Sequence, residues 1–149
     1  MDEWKKLIRR GNRCFEHDRL EKAWAWYEAA LQEADCCVAD CAMQGSRCRY
    51  LDALAAIAAL VVTQHNLADL CVRGDRMEDA AAHLRAAHAK LMHLIDDINI
   101  PWAVRAAALR NSSQTRLAML SFADEHGTPD TTFSNEQRIC HRPLNPVLH

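Results

Sequence analysis

The sequence predicts an all-helical fold assembled from antiparallel helical hairpins. Three observations carry that prediction. Only four glycines and four prolines punctuate 149 residues, too few turn formers for a chain of short strands. Apolar residues recur three and four positions apart through most of the chain, the spacing that lines one face of a helix. And one stretch of sequence returns 57 residues later. Half of the residues are apolar, enough for a real core in a chain of one-domain length.

The elements follow in order. A first helix over 3–16 places Trp4, Leu7, Ile8, Gly11, Cys14 and Phe15 on one side. A second, over 19–37, does the same with Leu20, Ala23, Trp24, Tyr27, Ala30 and Leu31. A third, over 48–73, carries Leu54, Ile57, Leu60 and Val61 around most of its circumference, the pattern of a centrally buried helix. A fourth covers 76–96. The fifth covers 101–125 and opens on Pro101, whose fixed φ suits a first helical position. Trp102, Leu109, Leu117 and Leu120 give it an apolar side. It has no hairpin partner and reads as a terminal cap on the array. From Gly127-Thr128-Pro129 onward the chain is polar and irregular, a tail over 127–149 in which Phe133, Ile139, Leu144, Val147 and Leu148 offer a segment able to fold back as an internal ligand.

The duplication is specific. Asp18-Arg19-Leu20-Glu21-Lys22-Ala23 recurs as Asp75-Arg76-Met77-Glu78-Asp79-Ala80. In the same register Cys14 matches Cys71 and Ala30 matches Ala87, while Tyr27 becomes Leu84 and Gly11 becomes Ala68. Size is kept where identity is lost. Asp18 with Glu21, and Asp75 with Glu78, have the spacing of a capping box, in which the first carboxylate accepts from free N–H groups of the new helix. Gly74 is expected to relax the second turn.

The order of small residue, aromatic or Cys, capped turn, Ala, aromatic and Ala-Leu resembles a tetratricopeptide repeat. It is carried by Gly11-Asn12-Arg13-Cys14-Phe15 followed by Ala23-Trp24-Ala25-Trp26-Tyr27-Glu28-Ala29-Ala30-Leu31, and more loosely by Asn66 to Cys71 and beyond. The resemblance implies a helical domain over 1–126, with repeat copies at about 4–35 and 61–95 and a capping helix at about 101–125. It also implies a right-handed superhelical array. A plain array repeats every 34 residues or so, and the excess here falls between Glu33 and Tyr50 and in the long third helix. The layout is also similar to an uncharacterised bacterial family of small helical-repeat proteins, through the Trp4 start, Gln64-His65-Asn66-Leu67-Ala68-Asp69-Leu70 and Leu109-Arg110.

In such repeats the first helix of each hairpin lines a concave surface, so the resemblance implies a partner-binding face. Its residues here are Lys5, Ile8, Arg9, Asn12, Phe15 and Glu16 from the first copy, and Val62, His65, Asn66, Asp69, Val72 and Arg73 from the second. The core of that expectation is Lys5, Ile8, Arg9, Asn12, His65, Asn66, Asp69 and Arg73. Asn12 and Asn66 match the asparagines with which some members hold a partner's terminal carboxylate, although Ile8 stands where the clamp lysine belongs. Basic residues crowd the array (Lys5, Lys6, Arg9, Arg10, Arg13, then Arg105, Arg110, Arg116), and an acidic peptide is the natural ligand of such a surface. The expected role is therefore an adaptor that binds a protein or peptide.

Other classes have weaker support. A net charge of −2 argues against nucleic-acid binding. The start lacks the pattern of a secretory signal, and the uncharged run Ala53 to Val62 is half of a membrane span, so a cytoplasmic protein without membrane insertion is expected. Seven cysteines cannot all pair within one chain. The histidines at 83, 88 and 93 recur every five residues and do not share one helix face, and a metal set built on Cys37 with Cys41 or on Cys140-His141 would need ligands from distant segments. No phosphate loop, GxSxG or HExxH occurs, and Cys71 and His65 lie on different sides of one helix, so neither catalysis nor a cofactor is expected. Metal binding, self-association as a structural dimer, and chaperone-like capture of exported proteins are the alternatives to an adaptor.

Overall fold

A computed structural model describes residues 1–127, and the expectations that fall on the tail, Cys140 among them, lie outside the described residues. Five helices follow one another: α1 (Asp2–Glu16), α2 (Leu20–Met43), α3 (Tyr50–Arg73), α4 (Met77–Asp96) and α5 (Trp102–His126), with a short 3-10 turn at Gly45–Arg47. Each helix packs on the next, and α3 also packs on α5 and along α1. α2 runs to Met43, six residues beyond its expected end. Val38 and Cys41 continue the buried row of Ala30 and Ala34, and no helix breaker intervenes before Gly45, which takes a positive φ of 57°.

α3 is the centre. Ala53, Ala56, Ile57, Ala59, Leu60, Val61, Leu67, Ala68, Leu70 and Cys71 are all buried on it, spread over more than half of its girth. By length and composition α3 is apolar enough to cross a membrane, and here the other four helices surround it. Its alanines let neighbours approach closely, while Ile57 and Leu60 fill the space with Leu91, Leu94, Val104 and Ala107. Two fully buried hydroxyls on α3 and α5 are satisfied. Thr63 accepts from Trp4 Nε1 at 2.9 Å and donates to the Ala59 carbonyl at 2.7 Å. Thr115 donates to the Ser112 carbonyl at 2.9 Å and meets His88 Nδ1 at 2.8 Å.

The two repeated turns are alike in detail, and their mechanism differs from the expected capping box. Asp18 and Asp75 both adopt φ 57°. Each follows a helix as its left-handed C′ residue. Arg19 N–H donates to the Cys14 carbonyl and Asp18 N–H to that of Phe15; Arg76 donates to Cys71 and Asp75 to Val72. That crossed pair is the Schellman closure of α1 and α3. The residues that precede α2 and α4 are Arg19 and Arg76, and neither N-terminus receives a side-chain cap. The aspartates thus terminate helices and do not begin them. Gly74 has φ −86°, open to any residue, so the conformational demand falls on Asp75.

Gly11 is the glycine whose absence of a side chain matters. A Cβ there would overlap the Tyr27 ring, lying 2.5 Å from Cδ1. In the second copy Leu84 replaces Tyr27 and Ala68 replaces Gly11, both in the buried cluster of α3, α4 and α5. A smaller partner admits a methyl group. The outer side of α5 departs from expectation as well. Trp102, Leu109 and Leu117 are 73%, 62% and 63% exposed, and the face that packs is Ala103, Val104, Ala107, Ala108, Thr115, Met119, Phe122 and Ala123. Small residues seat the first half of this helix, and Met119 with Phe122 seat the second.

Two expected outcomes follow from these contacts. Gly11→Ala should destabilise by about 1–3 kcal/mol, and the same change in a Tyr27→Leu background should cost little; equal costs by chemical denaturation would contradict the pairing. Asp75→Gly should stabilise by up to about 1 kcal/mol by removing a left-handed non-glycine. Gly74→Ala should be neutral or mildly stabilising. Loss of stability in both would contradict the turn assignment.

Candidate functional site

α1 and α5 flank α3 on opposite sides, so the solvent face of α3 is the floor of a trough. The α1 side is fixed by Trp4 on Thr63, by Asn66 Nδ2 donating to Asn12 Oδ1 at 3.3 Å, and by Arg73 on Asp18 at 3.2 Å. On the α5 side Ala68 and Val72 meet Ala118 and Phe122. Between these contacts the exposed side of α3 carries Val62 and Asp69, and the same face continues at helical spacing toward the start of α3, beyond the N-terminus of α1, through Ala58, Ala55 and Leu51. The floor is apolar along its first three turns and polar toward its end.

Two clefts open at that polar end, and both include Asp69. One, of about 130 Å³, lies between α1 and α3 and is lined by Asn12, Phe15, Glu16, Tyr27, Asn66 and Asp69. The other, of about 310 Å³, lies between α3 and α5, where His65, Asp69, Ser121, Glu125 and His126 surround an apolar bottom that includes Val72, Leu84 and Phe122. Tyr27 Oη donates to Asn12 Oδ1 at 2.8 Å, beside the bond from Asn66. One carbonyl therefore accepts twice, which leaves the Asn12 amide N–H groups and the Asn66 carbonyl without an intramolecular partner among the described residues.

The electrostatics of this end are negative. Burial, followed by the charges of Asp69, Glu16 and Cys14, pushes the Tyr27 hydroxyl up to about 12. Asp69 is exposed by area, yet the crowding of its carboxyl raises its pKa, with His65 opposing. Burial lowers that of His65, against the pull of Asp69. The i, i+4 pair His65 and Asp69 makes no hydrogen bond; His65 Nε2 is sealed from solvent without a partner. Phe122 packs against the His126 ring at 4.7 Å, and His126 Nε2 lies 3.6 Å from Glu125.

The sequence-derived residues divide into two groups. Asn12, His65, Asn66 and Asp69 come together. Lys5 and Arg9 stand exposed on α1, further from the clefts, with Lys5 3.9 Å from Asp2. Ile8 is 7% exposed and packs under α1 with Ala23, Tyr27 and Ala30, so it is core and not surface. Its position repeats with Gly11 and Phe15, the side that faces α2 and α3, and an apolar side chain there has nowhere else to go. Arg73 is engaged: it pairs with Asp18 and lies 4.6 Å over the Phe15 ring. The basic residues outside the trough are partly engaged too, Arg10 over Trp26 at 4.8 Å and Arg105 donating to the Ile95 carbonyl at 3.0 Å.

Sequence reasoning missed the α5 wall (Ala118, Ser121, Phe122, Glu125 and His126) because the fifth helix has no repeat counterpart from which to carry positions. It also missed Leu51, Ala55 and Ala58, since the second copy was counted from residue 61 while α3 begins eleven residues earlier. The helical spacing of those three with Val62 and Asp69 was the available signal. Among the described residues no three His, Cys, Asp or Glu side chains converge as a metal set.

Comparison with known proteins adds one relationship. No curated protein matches the chain, and no solved structure does. A family profile described as "Protein of unknown function (DUF2753)" matches residues 2–144, the five helices together with most of the tail. The chain is a member of the DUF2753 family.

Proposed function

We propose that this chain is a protein- or peptide-binding adaptor of the tetratricopeptide-like kind, which docks its partner in the trough between α1 and α5. The observation that carries the reading is Asp69, a carboxylate at the meeting point of two clefts on the floor of that trough. Around it stand groups with unused hydrogen-bonding capacity, from Asn12, Asn66 and His65. A peptide brings a backbone donor and acceptor at every residue, and an amide N–H beside an amide carbonyl is the complementary pair. The apolar floor of Leu51, Ala55, Ala58 and Val62 supplies the burial that binding needs.

Asp69 also costs the fold stability, which favours a role outside folding. The sign follows from its raised pKa. The native state holds the proton more tightly than the unfolded chain, so stability falls as pH rises from the ordinary carboxylate range through the native value. Above that value the charged carboxylate is a net burden.

A second reading has its own observation. Trp102, Leu109 and Leu117 form an exposed stripe on the outer side of α5, the surface that another hairpin would cover in a longer array. Pairing of two copies through this stripe is the structural alternative. Light scattering distinguishes them: the adaptor reading expects a mass near 16.9 kDa, the alternative twice that.

Two outcomes test the first reading. Asp69→Asn should raise the thermal midpoint at pH 7 and leave it unchanged at pH 3; a loss at pH 7 would show that the carboxylate serves the fold. Val62→Glu on the floor should abolish partner capture with the midpoint kept. Ala39→Glu on the outer side of α2 should leave capture intact. Capture that survives Val62→Glu and fails with Ala39→Glu would move the binding face to the other side of the molecule.

A further inference from the structure

The trough has a polarity that the overall composition conceals. The cations at the edges of the trough are engaged by neighbours of their own. Lys5 pairs with Asp2, Arg73 with Asp18 and Phe15, and Arg76 with Asp79 and the Trp24 ring, 4.8 Å away. Three carboxylates line the two clefts in succession: Glu16, Asp69 and Glu125. Among the described residues the only basic side chains lining the clefts are His65, whose pKa burial lowers, and His126 beside Glu125. Tyr27 registers the same field from below, since Asp69 and Glu16 both oppose its ionisation.

Charge alone does not make a site, and two further features are present. The α3–α5 cleft has an apolar bottom of Ala68, Val72, Leu84 and Phe122, wide enough at about 310 Å³ for one large side chain. The His65 ring lines that cleft while its Nε2 is closed off from solvent without a partner, a polar atom that a bound group satisfies once the ring turns outward. Other surfaces were weaker in this respect. The cleft beside Trp24 is bounded by Leu20, Leu70 and Gly74, with Arg76 and Glu21 at its rim, and offers no orphaned polar group. The α5 stripe has nothing next to it that selects an occupant.

We infer that the trough recognises a partner segment carrying a lysine or arginine next to a large apolar residue, the apolar side chain seated on Phe122, Leu84 and Val72 and the cation held between Asp69 and Glu125. This rests on the adaptor reading and gives its partner a chemistry. It reverses the acidic ligand that the basic residues of α1 suggest, because those residues flank the trough's rim while its deep end bears the opposite sign. A cation entering the cleft replaces water around the Asp69 carboxylate, which is already partly desolvated, so that a charge-assisted hydrogen bond there is stronger than at an open surface. The cost of that desolvation to the free fold is offset in the complex by the opposite charge of the cation.

The test is selection from a randomised dodecapeptide display library against the whole chain, followed by fluorescence anisotropy of the enriched peptides. The expected result is enrichment of sequences with Lys or Arg beside an aromatic or branched aliphatic residue. Their affinity should fall roughly tenfold or more with Asp69→Asn plus Glu125→Gln, and weaken with added salt. The midpoint of that variant should not drop. Replacing the peptide's Lys by Gln should cost the wild-type chain a similar factor and the double variant almost nothing. Enrichment of acidic or uncharged peptides that Val62→Glu still abolishes would overturn this inference and keep the trough as the site. Binding indifferent to both carboxylates would also overturn it. No enrichment at all would overturn the adaptor reading together with the inference.

Discussion

The packing of every other helix against α3 is the constraint on which the rest depends. α3 buries its alanines, Ile57, Leu60, Val61 and Leu67 over more than half of its circumference, and what remains uncovered is a single strip between α1 and α5. That strip is the floor of the trough. Core and candidate site are thus two sides of one helix, and the position of Asp69 on the outside follows from that of Ala68 and Leu67 on the inside. A side chain added at Ala56 or Ala59 would push α2, α4 or α5 away and change the width of the trough as well as the stability.

The second constraint is the pair of equivalent turns. Asp18 and Asp75 share a φ and the same two crossed hydrogen bonds, so α1–α2 and α3–α4 leave their turns in the same way. The duplication survives where geometry demands it, in Ala23 and Ala80, in Ala30 and Ala87, and in Cys14 and Cys71. Where geometry allows, it drifts in pairs: Gly11 with Tyr27 became Ala68 with Leu84. Arg73 ties the two copies together by reaching from the end of α3 to Asp18 in the first turn.

Much of this was legible before any coordinates. Five helices, the central burial of α3 and the shared side of Asn12 and Asn66 follow from periodicity and the repeat. The misread parts have physical causes. Asp followed three residues later by Glu suits a helix start, yet Asp also tolerates the left-handed region, and the preceding helix claimed it for its end. Ile8 was carried over by repeat position while its own periodicity with Gly11 and Phe15 pointed inward. Trp102, Leu109 and Leu117 looked like a packing face because large apolar residues usually are one. In this helix Ala103, Val104, Ala107 and Ala108 pack closer to α3, and contact distance decided. The α5 wall of the trough had no sequence signal, since Ser121, Glu125 and His126 become neighbours of His65 and Asp69 through tertiary packing alone.

The account stands or falls on which side of α3 a partner touches. Amide chemical-shift mapping during titration of an enriched dodecapeptide into the isotopically labelled chain measures that directly. The predicted result is a continuous set of perturbed residues along the trough, with Asn12, Val62, Asn66, Asp69 and Ser121 among the largest, and quiet outer sides on α2 and α4. Perturbations centred on Trp24 and Arg76, or on the Trp102–Leu117 stripe, would contradict it.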